Sequence, residues 1–209
     1  MSTNAVSLGW IKICGMTTKE AVSAAIDAGA DAIGFVFAPS VRQVTPQRAS
    51  ELARVARDRI RCIAVTRHPS QSLVDEIVGV FRPDVLQTDV EDFDGLRLPS
   101  TLPRLPVLRS GAGAALGAAL PRRLLFEGPY SGTGQICDWS EAATLARQTS
   151  LIVAGGLTAA NVAAAIHEVK PFGVDTSSGV EVQPGIKDAA KIADFIAAAR
   201  AAFSESVHS

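Results

Sequence analysis

An alternation between two patterns runs through the whole chain and restricts its fold more than any other feature. Eight short apolar runs, from Trp10–Cys14 to Phe172–Asp175, are each followed by turn residues, and most lead into an amphipathic segment. Short apolar runs separated by helical patterns predict parallel strands joined by helices. Because such crossovers are right-handed, the eighth strand can close against the first. The sequence therefore predicts an α/β fold, a single compact (β/α)8 TIM barrel.

Two segments leave little room for a helix, and they indicate how a barrel fits into 209 residues. We expect short helices after strand 4, in the acidic stretch 89–94, and after strand 5, in the Ala/Gly-rich stretch 113–120. Residues 1–209 are expected to form one domain, with flexible ends at 1–9 and 204–209. The alternative is an open doubly wound sheet, but Cys-Gly-Met-Thr after the first strand is not the glycine-rich fingerprint expected there.

The net charge and the cysteines limit the kinds of molecule that the protein is expected to bind. A net charge of −1, from 20 basic and 21 acidic residues, argues against a nucleic-acid-binding surface. The chain contains neither an apolar run long enough to span a membrane nor a secretory signal pattern. Cys14, Cys62 and Cys137 are widely spaced and odd in number, which disfavours a disulfide scaffold or a zinc site. We expect a cytoplasmic protein that binds no metal, nucleic acid or membrane.

The first strand carries the clearest candidate for chemistry. Its alternation directs Ile11 and Ile13 towards the helices, and Lys12 and Cys14 towards the lumen, with Cys14 at the carboxyl-end rim. A thiol there can act as a base or nucleophile if its pKa is lowered, or it can be a small apolar filler. Asp175 has the same parity on the neighbouring eighth strand. We therefore predict a Lys12–Asp175 ion pair; the alternative is that Lys12 extends elsewhere.

The sixth strand ends in a carboxylate. Leu124 and Phe126 share one side, and Leu125 and Glu127 the other, so Glu127 is predicted at the rim across the mouth from Cys14. A thiolate and a carboxylic acid on opposite sides of a pocket form the base–acid pair that a proton-shifting isomerase needs.

The loops after the seventh and eighth strands resemble phosphate cradles. Gly155 and Gly156 precede a helix predicted to begin at Thr158, and Ser177 and Ser178 follow the eighth strand. Barrels often bind phosphate between these two loops through backbone N–H groups, although ordinary capped turns would look similar. Arg42, in the loop after the second strand, is a candidate clamp for a carboxylate or phosphate, or a solvated surface charge.

A set of motifs runs in order along the chain, from residue 11 to about 187: Ile11-Lys-Ile-Cys-Gly-Met-Thr17, Asp31-Ala-Ile-Gly-Phe-Val-Phe37, Ser40-Val-Arg42, Gly132-Thr-Gly134, Asp138-Trp139, Ala154-Gly-Gly-Leu157 and Val174-Asp-Thr-Ser-Ser-Gly-Val-Glu181. Together these motifs resemble those of the phosphoribosylanthranilate isomerases of tryptophan biosynthesis.

The resemblance implies a (β/α)8 barrel that performs a cofactor-free Amadori rearrangement of a small phosphoribosyl substrate. It implies that Cys14 is the general base and that a carboxylic acid ending strand six opens the ribose ring. Arg42 would contact the anthranilate carboxylate, and Asp175 the substrate. The phosphate would be held by Gly155, Gly156, Ser177, Ser178 and Gly179. The protein is expected to be a monomer or a homodimer.

Three positions at the mouth depart from the family pattern. Glu127 stands where the family usually has Asp, Leu86-Gln-Thr-Asp-Val90 lacks the usual histidine, and strand three is followed by Thr66-Arg-His-Pro69. Two other functions therefore stay open. One is a diverged isomerase of a related aminoribose phosphate, and the other is a non-catalytic phosphosugar-binding protein.

Overall fold

The computed structural model describes residues 9–111, 120–128 and 137–206. Eight parallel strands follow one another around a closed barrel, and β8 pairs with β1. This confirms the predicted barrel and rules out the open sheet. The strands are β1 (Trp10–Cys14), β2 (Ala32–Val36), β3 (Arg61–Val65), β4 (Val85–Asp89), β5 (Arg104–Arg109), β6 (Arg123–Glu127), β7 (Ser150–Val153) and β8 (Gly173–Thr176).

The connections between the strands are mostly helical. A 3-10 turn, Val90–Asp94, is the predicted short helix after β4, whereas the one predicted after β5 falls almost entirely outside the described residues. Within the described ranges, no helix is both long and apolar enough to cross a bilayer. The α-helices are α1 (Lys19–Asp27), α2 (Pro46–Leu52), α3 (Gln71–Glu76), α4 (Trp139–Ala146), α5 (Val162–Val169) and α6 (Ala189–Ser206), and a short hairpin of β9 (Glu181–Gln183) and β10 (Ile186–Lys187) precedes α6.

Side-chain caps explain where several helices begin. Thr18 Oγ1 accepts a hydrogen bond from the Ala21 amide at 3.2 Å, and Ser70 Oγ caps α3 in the same way. Asp138 caps α4 by accepting from two backbone amides. Each cap satisfies an N–H group that lacks a partner within its helix, a contribution of about 1 kcal/mol.

Strand alternation divides the buried residues into two layers. Ile11, Ile13 and Phe126 belong to the larger layer, between the strands and the helices. Leu125 and Ile152 belong to the smaller one, which fills the barrel interior. The predicted parity of β1 and β6 is therefore confirmed. It determines which side chains reach the mouth.

Of the ends predicted to be flexible, 1–9 and 204–209, the structure describes only Gly9 and residues 204–206, and these make packing contacts. The Gly9 carbonyl accepts a hydrogen bond from Arg200 Nη1 at 2.7 Å, and a Cβ at Gly9 would lie 2.2 Å from the Phe203 ring. Helix α6 continues to Ser206, whose hydroxyl donates to the Ala202 carbonyl. Packing of α6 against the start of β1 orders both segments. Residues 1–8 and 207–209 lie outside the described residues.

Candidate active site

A cavity opens at the carboxyl ends of the strands, where barrels keep their chemistry. All the predicted site residues except Gly179 are among the described residues that line it: Cys14, Arg42, Glu127, Gly155, Gly156, Asp175, Ser177 and Ser178. Residues 129–136, which include the whole Gly132-Thr-Gly134 motif, lie outside the described residues.

Cys14 is positioned by a glycine on the next strand. Gly34 pairs with Cys14 in the β1–β2 register. A Cβ at Gly34 would lie 2.8 Å from Cys14 Sγ and 3.1 Å from Lys12 Cε. The absent side chain leaves the space that both groups occupy, so the sequence Ala-Ile-Gly-Phe-Val serves the site as well as the sheet.

The predicted ion pair beneath Cys14 is confirmed. Lys12 Nζ lies 2.7 Å from Asp175 Oδ2, with the Lys12 side chain fully buried. Burial disfavours the ammonium, but Asp175 and Cys14 outweigh it and raise the pKa of Lys12. The second oxygen of Asp175, Oδ1, is buried without a hydrogen-bond partner among the described residues. Because Asp175 also lines the cavity, this oxygen is available to a ligand hydroxyl.

The Cys14 thiol does not have the lowered pKa on which the sequence argument for a base depends. Burial raises the pKa of Cys14, and the positive charges of Lys12 and Lys187 only partly oppose that effect. The thiol form is therefore favoured in this environment at neutral pH. Deprotonation of Cys14 depends on the two lysines that adjoin it.

Arg42 faces the cavity but is already engaged on one edge. Its Nε and Nη2 donate to the two oxygens of Glu181 at 2.7 and 2.8 Å, and Lys187 Nζ lies 2.7 Å from the same carboxylate. Burial favours the neutral acid, but hydrogen bonds from Arg42 and Lys187 outweigh it and lower the pKa of Glu181 to about 2. The guanidinium keeps three further N–H groups, so the clamp role needs only its other edge.

The lack of a side chain at Gly15 lets the Arg42 side chain pass close to the backbone after β1. Gly15 has φ +82°, and a Cβ there would lie 2.6 Å from Arg42 Cδ and 3.0 Å from Ser177 Oγ. The arginine stem therefore crosses directly over the Cys-Gly turn after β1.

The sequence analysis identified Glu127 but missed its partner, Arg109. Arg109 ends β5 and pairs in register with Glu127. Its Nη1 lies 2.7 Å from Glu127 Oε1, and its Nη2 lies 2.7 Å from Asp89 Oδ1. The strand alternation could have identified Arg109, because Leu105 and Val107 face the lumen and Arg109 continues the same alternation to the rim.

The loop after β7 has the backbone predicted for an anion cradle, but the helix begins later than expected. Gly155 and Gly156 have φ values of +96° and +63°. The Asn161 side chain accepts from the Thr158 amide and donates to the Gly156 carbonyl, which holds the segment as a turn. Helix α5 therefore begins at Val162, and the predicted start at Thr158 is wrong.

The loop after β8 adds a cation that the sequence analysis missed. Lys187 Nζ donates to the Ser177 carbonyl at 2.9 Å and to its hydroxyl at 3.1 Å. Gly179 has a packing role, since a Cβ there would lie 1.9 Å from the Leu157 carbonyl oxygen. It brings the loops after β7 and β8 together from behind the cavity wall.

One described group could in principle hold a cation. Ligand atoms of His68, Asp89 and Glu91 lie within 4.8 Å of one another. However, Asp89 pairs with Arg109, and His68 Nδ1 lies 2.8 Å from Asp92. Protein partners therefore already engage two of the three ligand groups.

Comparison with known proteins agrees with this geometry. The sequence profile of the family described as N-(5'-phosphoribosyl)anthranilate (PRA) isomerase matches residues 11–198. The N-(5'-phosphoribosyl)anthranilate isomerase of Roseiflexus castenholzii is 40% identical, with 92% of this chain and 98% of the relative covered. The one from Streptococcus mutans is 36% identical, with 89% and 96% covered.

Solved structures show the same relationship. Phosphoribosyl anthranilate isomerase from Thermotoga maritima superposes with a TM-score of 0.82 at 27% identity, covering 92% of this chain and 99% of that one. TrpF from Jonesia denitrificans superposes with a TM-score of 0.78 at 33% identity, covering 93% and 98%. The chain therefore belongs to the N-(5'-phosphoribosyl)anthranilate isomerase family.

Proposed function

We propose that this protein converts N-(5-phosphoribosyl)anthranilate to 1-(2-carboxyphenylamino)-1-deoxyribulose 5-phosphate by general acid–base catalysis without a cofactor. The observation that carries the proposal is the shared cavity. Cys14 and Glu127 both line it, and the glycine loop after β7 and the serine loop after β8 line it as well.

The chemistry assigns one proton transfer to each of two side chains. Glu127 donates a proton to the ribose ring oxygen as the C1–O bond breaks and the anilino nitrogen forms a C1=N bond. Cys14, as thiolate, removes the proton from C2, and the electron pair moves to C1–C2 and neutralises the nitrogen. The resulting enol becomes the ketone when C1 gains a proton and the C2 hydroxyl loses one. Opposed acid and base groups suit this sequence.

The remaining predicted residues bind the two anionic ends of the substrate. The phosphate would lie against the amides of Gly155 and Gly156 and beside Ser177 and Ser178. Lys187, at the inner side of Ser177, supplies positive charge there. The outer edge of Arg42 would receive the anthranilate carboxylate. Asp175 Oδ1 would accept a hydrogen bond from a sugar hydroxyl.

Turnover by variants of the two proton-transfer groups tests the proposal. We expect Cys14→Ala and Glu127→Gln each to lower kcat by about 10²–10⁴-fold, the usual contribution of a positioned acid or base. Cys62→Ala is the matched control, because Cys62 is a buried thiol in the layer facing the helices. Wild-type activity in Cys14→Ala would refute the mechanism. If the wild type acts only on a non-anthranilate ribosyl phosphate, or binds product without turnover, an alternative function is correct.

Three wider properties follow as part of the same proposal. We infer one domain over residues 1–209, supported by the family match over residues 11–198. A cytoplasmic location is supported by three buried cysteines without disulfides. We expect a monomer or a homodimer, and one relative, from Thermotoga maritima, is described as dimeric.

A further inference from the structure

We propose that Arg109 is a positioning residue which, held by Asp89, orients the Glu127 carboxyl for proton transfer and adjusts its affinity for the proton. This inference rests on the proposed function, in which Glu127 is the general acid. It assigns a role to two residues, Arg109 and Asp89, that the mechanism above does not use.

The three side chains form one continuous chain along the rim. They come from the ends of three consecutive strands, β4, β5 and β6. Arg109 uses Nη2 for Asp89 and Nη1 for Glu127, both at 2.7 Å. Because two different nitrogens of one planar group are engaged, the guanidinium can rotate little, and Glu127 follows its orientation.

Burial makes this clamp stronger than a surface ion pair. The side chains of Asp89, Arg109 and Glu127 are 3%, 16% and 15% exposed. Charges removed from water to this degree are screened weakly, so removing the central cation would leave two carboxylates facing each other across a strand.

The long side chain of Glu127 makes orientation matter. Glutamate has three side-chain torsions, and its carboxyl oxygens can occupy many positions at an unrestrained rim. A displacement of about 1 Å from productive geometry costs on the order of a hundredfold in rate. The Arg109 contact selects one of these positions, and in it Glu127 lines the cavity.

The contact between Arg109 and Glu127 also affects how tightly the Glu127 carboxyl binds its proton. A neighbouring guanidinium favours the carboxylate over the acid, so removing it strengthens proton binding at Glu127. An acid catalyst is active only while protonated, and kcat/KM falls as the pH rises through its pKa. Loss of Arg109 should therefore move this alkaline limb to higher pH. Loss of a purely structural contact would lower activity without moving the limb.

Other charges near the chain must be separated from this effect. Arg67 Nε and His68 Nε2 lie 3.6 and 3.7 Å from Asp89 Oδ2. Burial raises the pKa of Cys137 to about 12, and the nearby Glu127 carboxylate adds a smaller contribution. The pH profiles are therefore also compared in a His68→Asn background, which removes the imidazole beside Asp89.

The test compares pH profiles of kcat and kcat/KM for wild type, Arg109→Met and Arg109→Lys. We expect Arg109→Met to lower kcat by about a hundredfold and to move the alkaline limb upward by at least half a pH unit. Arg109→Lys keeps the charge but cannot bridge both carboxylates. In Arg109→Lys, the alkaline limb of the pH profile should therefore return to its wild-type position, while kcat stays low. The control is Arg61→Met, which removes an exposed cation from the amino end of β3.

The possible outcomes are distinguishable. If the wild type does not turn over the substrate, the proposed function fails, and with it this inference. If the wild type is active and Arg109→Met keeps the wild-type kcat and limb, only the role of Arg109 is overturned. Equal rate losses with an unmoved limb in both Arg109 variants would likewise overturn it. If Arg109→Met does not fold, Arg109→Lys and Asp89→Asn must each still lower kcat at least tenfold, or the inference is refuted.

Discussion

Replacing Lys12 with methionine tests the electrostatics beneath Cys14 most directly. Lys12 Nζ and Asp175 Oδ2 are 2.7 Å apart, and the lysine is fully buried. With an effective dielectric constant of about 20, their attraction is about 6 kcal/mol before the cost of desolvation. Removing one partner of a buried pair costs about 3–5 kcal/mol, because it leaves the other charge uncompensated. Lys12→Met should lower the free energy of unfolding by that amount.

A second variant distinguishes charge from packing. Lys12→Met with Asp175→Asn removes both charges of this pair, so it should recover about 1–3 kcal/mol of the loss, measured by urea unfolding. The pKa of Lys12 is raised by its partners, so its contribution to stability should be present below about pH 10.4 and lost as the pH rises through the folded-state pKa.

The same variant should change the thiol. Without the ammonium, less opposes the burial that raises the pKa of Cys14. The pH midpoint of Cys14 alkylation, followed by mass spectrometry of its peptide, should move upward by about one to three units. A wild-type unfolding free energy in Lys12→Met would refute the ion-pair energetics. An unchanged alkylation midpoint would refute the influence of Lys12 on the thiol.

Two further predictions concern neighbouring residues. Gly34→Ala should lower kcat by on the order of a hundredfold, because the new methyl group would lie 2.8 Å from Cys14 Sγ and push it aside. Gly79→Ala is the control and should keep wild-type turnover, because a Cβ there has nothing within 4 Å. Equal rates in the two variants would contradict the close packing at Gly34. Glu181→Gln should destabilise the protein at pH 7 by about 3 kcal/mol, because the Glu181 carboxylate, with its lowered pKa, stabilises the fold only while it is charged. In urea unfolding, the difference from wild type should shrink as the pH falls from about 4.5 towards 2. A difference that does not change with pH would contradict this prediction.

The sequence by itself determined the barrel and the direction of the strand side chains. Side chains alternate with period two, and parallel crossovers have one hand, so the positions of Lys12, Cys14 and Asp175 follow from local pattern and closure alone. Glu127 was placed at the rim by the same parity. These inferences need only neighbouring residues and the order of the strands.

Only the tertiary structure decided which charged groups meet at the mouth. Arg109 bridges Asp89 and Glu127, which lie 20 and 18 residues away in the sequence, and Arg42 meets Glu181 at a separation of 139 residues. Sequence patterns show that a side chain points to the rim, but not which of several opposite charges it pairs with. That choice depends on side-chain length, burial and the available space, and these quantities exist only once the strands are assembled.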